Sequence, residues 1–254
     1  MSGLLPDYGN QARTYDNTRA ASPSVLGPLR NALGDPTHPT PGPRLLDVGG
    51  GTGNYAAALR DEGWEPVVCD RSPDMLARAR AKGLETVEAD AEDLPFADAS
   101  FDAVMCVSML HHVPDRSRAL REQRRVLRPG GRLAVMVYTR EDIEHAWYND
   151  YFPSTRAWMD ASHPPRSEVL AELPGARHIE LVFSDLEDAS LAALSSFPEK
   201  VLGPAWRSQT SYFERLARDH PDEMAAGLER LRADIAAGNP PQGRGVATVL
   251  AWPG

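Results

Sequence analysis

Short apolar runs and amphipathic stretches take turns along the chain, most regularly between residues 44 and 137. Arg44-Leu45-Leu46-Asp47-Val48 reads as a buried strand, and Asn54 to Glu62 as a helix. Pro66 to Cys69 reads as the next strand and Pro73 to Lys82 as the next helix, with Ser72 placed to cap it. Glu85 to Glu88 and Phe101 to Val107 are a third and a fourth strand. A helix from Asp115 to Leu127 runs into Pro129-Gly130-Gly131, and Arg132 to Val137 is a fifth strand. Short apolar strands alternating with helices imply a parallel sheet with helices on both faces.

The flanks are less regular. Ser24 to Leu33 carries apolar residues at helical spacing and leads into a Pro-rich linker that ends at Pro43. After Tyr138 the pattern loosens into an aromatic stretch, Glu141 to Asp160, then a helix at Ser167 to Leu173 and a strand at His178 to Phe183. Asp188 to Gly238 is mostly helical and charged, and Val246 to Trp252 is a last apolar strand. The expected fold class is therefore α/β, a Rossmann-like, seven-stranded, mostly parallel sheet with a helical and aromatic lid. The expected division is an N-terminal helical arm and linker at 1–41, a ligand-binding core at 42–137, and the rest of the sheet at 138–254. Lid insertions are expected at 138–165 and 187–241.

Composition narrows the class. With 254 residues, 42% of them hydrophobic and 25% charged, the chain has the make-up of a globular protein that buries a full core. It has no run of about 18 apolar residues, and Met1 to Asn10 lacks a basic segment followed by an apolar one. The expectation is a cytoplasmic protein with no membrane partner. A net charge of −9 argues against a nucleic-acid partner, whose phosphates call for Lys and Arg. Arg116, Arg118, Arg121, Arg124, Arg125, Arg128 and Arg132 do crowd one helix and turn, and they read as a solvated face balanced by nearby acids. Cys69 and Cys106 fall inside strands, as small buried side chains rather than a disulfide or a metal pair, and no metal site is expected.

The chemistry is concentrated after the first two strands. Asp47-Val48-Gly49-Gly50-Gly51-Thr52-Gly53 leaves a strand and opens a helix, and its alternate glycines allow a sharp turn and a close ligand. Asp70 closes the second strand about 20 residues beyond that turn, where a carboxylate can accept from a ribose diol. A dinucleotide enzyme would share both features. However, position 54 is Asn where that fingerprint needs glycine, and Asp47 would meet a pyrophosphate with like charge. The carboxylate suits a ligand with a free ammonium and no phosphate.

Taken in order, these segments resemble the class I S-adenosylmethionine-dependent methyltransferases, and within them the group of the ubiquinone- and menaquinone-biosynthesis enzymes. Leu45 to Gly53 resembles their first motif, Cys69-Asp70-Arg71-Ser72 the second, and Glu88 to Phe96 the third. Ser100 to Val104 with Met109-Leu110-His111-His112-Val113 resembles the fourth, and Glu122 to Gly131 the helix and turn before strand five. The resemblance spans about residues 44–137 and implies S-adenosylmethionine as cofactor. It implies that Gly49, Gly50, Gly51 and Gly53 line the amino-acid half, with Asp47 beside them. It places Asp70 on the ribose, Arg71 beside the adenine, Asp90 and the Ala91 N–H on the adenine edge, and Ser108 at the ammonium end. Tyr15, Asp16 and Arg19 resemble an arm folded over the cofactor.

Methyl transfer from a sulfonium disperses positive charge, so alignment and exclusion of water supply much of the catalysis. A base is needed only when the nucleophile arrives protonated. His111 and His112 follow strand four, where the resemblance places the transferred methyl, and an imidazole titrating near 6–7 suits that role. The competing expectation is a structural His pair at a loop-to-helix corner. Trp147, Tyr148, Tyr151, Phe152 and Trp158 are expected either to grip a small, flat, apolar substrate or to form the lid's own core. The expected reaction is methylation of an O, N or C atom of a small molecule. The alternative is another reaction on the same cofactor-binding fold, such as a cyclisation or decarboxylation. Oligomeric state is not legible.

Overall fold

A computed structural model describes residues 19–36, 42–208 and 210–254. Tyr15 and Asp16 lie outside the described residues. The strands are β1 (Arg44–Val48), β2 (Glu65–Asp70), β3 (Glu85–Glu88), β4 (Phe101–Val107), β5 (Leu127–Val137), β6 (Arg177–Val182) and β7 (Val246–Pro253). They form one seven-stranded sheet in the order β3-β2-β1-β4-β5-β7-β6. The pairs from β3 through β5 are parallel, and β7 enters antiparallel between β5 and β6. Leu45, Leu46 and Val48 are wholly buried because both faces of β1 are covered, which is why the strand reads as a continuous apolar run.

The direction of winding reverses between β1 and β4, so a crevice opens at their carboxyl ends, the place where open α/β sheets bind ligands. β5 begins five residues earlier than its apolar run suggests. Phe101 pairs with Leu127 and Ala103 with Arg132, so Pro129-Gly130-Gly131 bulges out of a strand that has already started.

The helix Pro23–Leu33 does not behave as an arm. Val25, Leu29 and Leu33 pack into the same core cluster as Leu45, Met105 and Val249, making the helix part of the layer over the sheet. Asp185 fixes its start by accepting from the Ser24 backbone N–H at 3.0 Å and the Ser22 hydroxyl at 3.0 Å. The arginine-rich helix Arg116–Val126 is paired as expected: Arg116 with Glu168, Arg121 with Glu172, and Arg125 with Glu122 and Asp98. Cys69 and Cys106 are buried and free.

Above the carboxyl ends of the strands sits a cap of short helices drawn from two stretches of chain. One contains Tyr148–Tyr151 and Arg156–Ser162, and the other contains Leu191–Ser195, Ser211–Asp219 and Pro221–Ala236. It has its own apolar core, in which Phe152, Phe213, Leu216 and Leu231 are almost wholly buried.

Candidate functional site

The crevice holds a cavity of about 1070 Å³, bounded below by the loops after β1, β2 and β4 and above by the cap. Its floor is the Gly-rich turn. Gly49, Gly51 and Gly53 adopt φ of 69°, 56° and 74°, the left-handed region that only glycine enters cheaply. The turn is tied to the next strand, since the Gly49 N–H donates to the Cys69 carbonyl at 2.7 Å. A side chain at Gly50 would collide with the Asp47 carboxyl, and one at Gly49 with Met109.

Asp47 points from the end of β1 into this turn, 2% exposed, and its Oδ1 has no hydrogen-bond partner. Burial, and then the nearby Asp70 charge, push its carboxyl up to about 8. A buried carboxyl with an orphaned oxygen in a cavity wall calls for a cationic or hydrogen-bonding ligand. Asp70 accepts from the Gly51 N–H at 2.9 Å and from the Ser72 N–H at 2.9 Å. It therefore braces the turn and the following helix start, and burial still raises its pKa against those bonds. Asp90 is oriented by the Glu92 N–H at 2.9 Å. Arg71 and Ala91 line the same wall. Ser108 holds φ at 56°, a strained position for a residue with a Cβ, and its N–H is anchored on the Met136 carbonyl at 3.0 Å.

Arg19 meets Asp188 in an ion pair of 2.7 Å, and the Tyr55 hydroxyl donates to the other Asp188 oxygen at 2.9 Å. The Asn54 amide donates to the Arg19 carbonyl, so Arg19 sits across the opening of the Gly-rich turn. Of the expected arm, this residue reaches the cavity.

His111 and His112 lie in the one-turn helix Leu110–His112 and both line the cavity. Their rings are 3.9 Å apart. Burial first, then the positive ends of His112, His163, Arg116 and Arg19, hold His111 well below its ordinary pKa. Burial first, then Arg71, brings His112 down to about 4. Both imidazoles are therefore neutral at pH 7, and the titration expected near 6–7 moves to lower pH.

The aromatic stretch divides. Tyr148 and Trp158 line the cavity. Trp147, Tyr151 and Phe152 do not: the Trp147 indole N–H donates to the Ser195 carbonyl at 2.9 Å, and the Tyr151 hydroxyl to Asp234 at 2.6 Å. Phe152 is fully buried against Phe213, ring centroids 5.7 Å apart. These three hold the cap together, because a cap of short helices must bury large rings to exist. The sequence reading missed Tyr138, His163 and Asp188, all on the cavity wall. His163 sits in Ser162-His163-Pro164-Pro165, which matches no motif, so only the folded chain brings it to the site. Among the described residues no group of three or more His, Cys, Asp or Glu is placed to hold a metal ion. None of the helices described is long and apolar enough to cross a membrane.

The family described as "Methyltransferase domain" matches residues 46–135. A demethylmenaquinone methyltransferase from Beutenbergia cavernae is 36% identical over 180 residues, covering 68% of this chain and 74% of that protein. The ubiquinone/menaquinone biosynthesis C-methyltransferase UbiE of Nitrobacter hamburgensis is 41% identical over 123 residues, 44% of this chain and about half (48%) of that protein. Among solved structures, a methyltransferase assigned to an antibiotic biosynthesis pathway of Anabaena variabilis superposes with a TM-score of 0.74 at 25% identity, covering 92% of this chain and 98% of that one. The Gly-rich turn, the carboxyl groups of Asp47, Asp70 and Asp90, and the relatives agree: the chain belongs to the class I S-adenosylmethionine-dependent methyltransferases, in the group of the ubiquinone- and menaquinone-biosynthesis enzymes.

Proposed function

We propose that the enzyme methylates an O, N or C atom of a small acceptor held between the sheet and the cap. The observation that carries this is the cavity. Pockets for one ligand run to roughly 1000 Å³ at most, and this one, at about 1070 Å³, has two chemically distinct walls. The lower wall is polar and acidic, with Asp47, Asp70 and Asp90. The upper wall carries an apolar patch of Ile143, Tyr148, Trp158, Met159, Leu191 and Tyr212, with Thr210, Glu214, Arg215 and Arg218 also on the cap side. S-adenosylmethionine fits the lower wall: its ammonium would lie by Asp47 and the glycine turn, its ribose by Asp70, and its adenine by Asp90 and the Ala91 N–H. Bound there, it supplies an electrophilic methyl. The chain's own contribution is to align the acceptor, close out water and supply neutral imidazoles at the rim.

The family match stops at residue 135, before every cap residue that lines the cavity. The acceptor is therefore met in large part by residues that this match does not reach, and demethylmenaquinone, named for one relative, is one compound to try. The experiment is an incubation with S-adenosylmethionine and a panel of quinols, phenols and amines. The expected result is S-adenosylhomocysteine released in step with a methylated product. Conversion of an acceptor without S-adenosylhomocysteine would move the protein to the cyclisation or decarboxylation class.

A further inference from the structure

The cavity contains a polar feature that cofactor binding does not use. His163, from the cap, stacks on His111, from the loop after β4, with ring centroids 5.3 Å apart and planes 10° from parallel. The Tyr138 ring stands edge-on to both, at 6.2 Å from His111 and 6.4 Å from His163. His163 is buried and His111 half-buried with its Nδ1 shielded from solvent, and both line the cavity.

The tautomer of His163 follows from its neighbours. Its Nδ1 lies 2.9 Å from the Met159 carbonyl, which can only accept, so that nitrogen carries the proton. The Ser162 hydroxyl lies at 3.0 Å on the same nitrogen. Nε2 of His163 is then the bare, accepting nitrogen. On His111, Nδ1 is buried without a hydrogen-bond partner. A buried ring nitrogen left unpaired costs free energy, and such atoms nearly always meet a partner in the working complex. Burial is the first reason that both rings stay neutral, and the cation of Arg116 disfavours a further positive charge on either. The same cavity is lined by the apolar Ile143, Tyr148, Trp158 and Met159, with Arg116 and Ser162 as the polar neighbours of the pair.

We propose that His111 and His163 are the specificity-determining residues of the acceptor subsite: across the seam between sheet and cap they accept a hydrogen bond from an uncharged donor on the acceptor and exclude an ammonium group. An ammonium would lose its hydration against apolar rings, and the carboxylates that act on His163, Asp160 and Asp142, are already paired with Arg156 and Arg166, as Asp188 is with Arg19. An uncharged hydroxyl loses little on entry and regains its bond on the imidazole. This rests on the methyl-transfer reading, because it assigns the upper half of the cavity to the acceptor.

The test separates the two. S-adenosylhomocysteine binding is measured first by calorimetry, and failure to bind counts against the cofactor assignment alone. With that product bound, three probes of one shape are titrated: 2-naphthol, 2-methoxynaphthalene and protonated 2-naphthylmethylamine. One net hydrogen bond predicts that 2-naphthol binds about tenfold tighter than its methyl ether, with the ammonium weakest. His163→Leu should bring 2-naphthol down to the level of the ether, while S-adenosylhomocysteine affinity stays within about twofold. His163→Gln, which returns an accepting oxygen, should restore most of the preference. His111→Leu tests the second acceptor in the same way, and its cofactor affinity reports whether the loop is intact. A preference for 2-naphthol that survives both leucine substitutions, or an ammonium that binds wild type as well as 2-naphthol does, overturns the proposal.

Discussion

Asp47 carries the most testable chemistry of any single residue. Its carboxyl, pushed up to about 8 by burial and by the Asp70 charge, holds a proton at neutral pH in the free enzyme. In the complex proposed above, S-adenosylmethionine would bring two positive centres to the turn beside it. Opposite charge at that distance favours the ionised form, so binding should drive the proton off. Affinity should then rise with pH, by up to about tenfold per unit below 8, and level off above it. Calorimetry at pH 6.5 in two buffers of different ionisation enthalpy should report close to one proton released per cofactor bound. Asp47→Asn should bind more weakly and release none. Equal heats in both buffers for wild type would mean that Asp47 is already ionised and that its neighbours, not the ligand, hold its charge.

At the scale of elements, the core sheet was legible because β1, β2 and β4 are buried on both faces and the turns between them are punctuated. Asp47, Asp70 and Asp90 all line the cavity, the first two marked by the glycine turn and the strand ends, the third only by the resemblance. The cap was legible only as a tendency. Nothing local in Trp147-Tyr148-Asn149-Asp150-Tyr151-Phe152 says which ring faces a ligand, because that depends on where Ser211–Asp219 and Pro221–Ala236 come to rest, some 60 to 80 residues away. The packing of the N-terminal helix was hidden for the same reason: it lies against β5, β7 and β6, all far along the chain. Gly227 shows how tightly the cap is fitted. A Cβ there would meet the Phe152 ring and come within 2.6 Å of the Tyr151 carbonyl. Glycine to alanine inside a helix ordinarily gains about 1 kcal/mol. Here overpacking of about 1–3 kcal/mol should outweigh it. Gly227→Ala is expected to melt earlier and to speed hydrogen exchange in 148–162 and 211–236, with β1 to β5 unchanged. A variant that melts later would show that the cap has slack at this contact.

For the whole molecule, the buried titratable groups of the site set how stability depends on pH. His111, His112 and His163 have folded pKa values below the 6.5 of the unfolded chain, His112 at about 4. Below pH 6.5 the unfolded state takes up these protons first, so each histidine lowers stability as pH falls toward its folded value. Asp47 acts in the opposite direction. Its folded pKa of about 8 lies above the unfolded value of 3.8, so the folded state holds the extra proton between them. Stability from this group is present at low pH and is lost as pH rises toward 8. At about 1.4 kcal/mol per pH unit per proton, Asp47 dominates the slope from about 7 to 8, and Asp70, its pKa also raised, acts in the same direction. Below 6.5 the three histidines outweigh it. The free enzyme should therefore be most stable at about pH 7, where the two effects balance, with the melting temperature falling on both sides. Carboxyl groups such as Asp185 and Glu122, whose pKa values are lowered, add their loss only at more acidic pH. Thermal melts across pH 4.5–8.5 test the balance limb by limb. Asp47→Asn should flatten the alkaline side and leave the acid side, whereas His163→Gln should make the acid side shallower and leave the alkaline one. Saturating S-adenosylmethionine should also flatten the alkaline limb, because the cation at Asp47 lowers its folded pKa toward the unfolded one. An alkaline limb that persists in Asp47→Asn would assign it to another group and would remove the premise of the proton release as well.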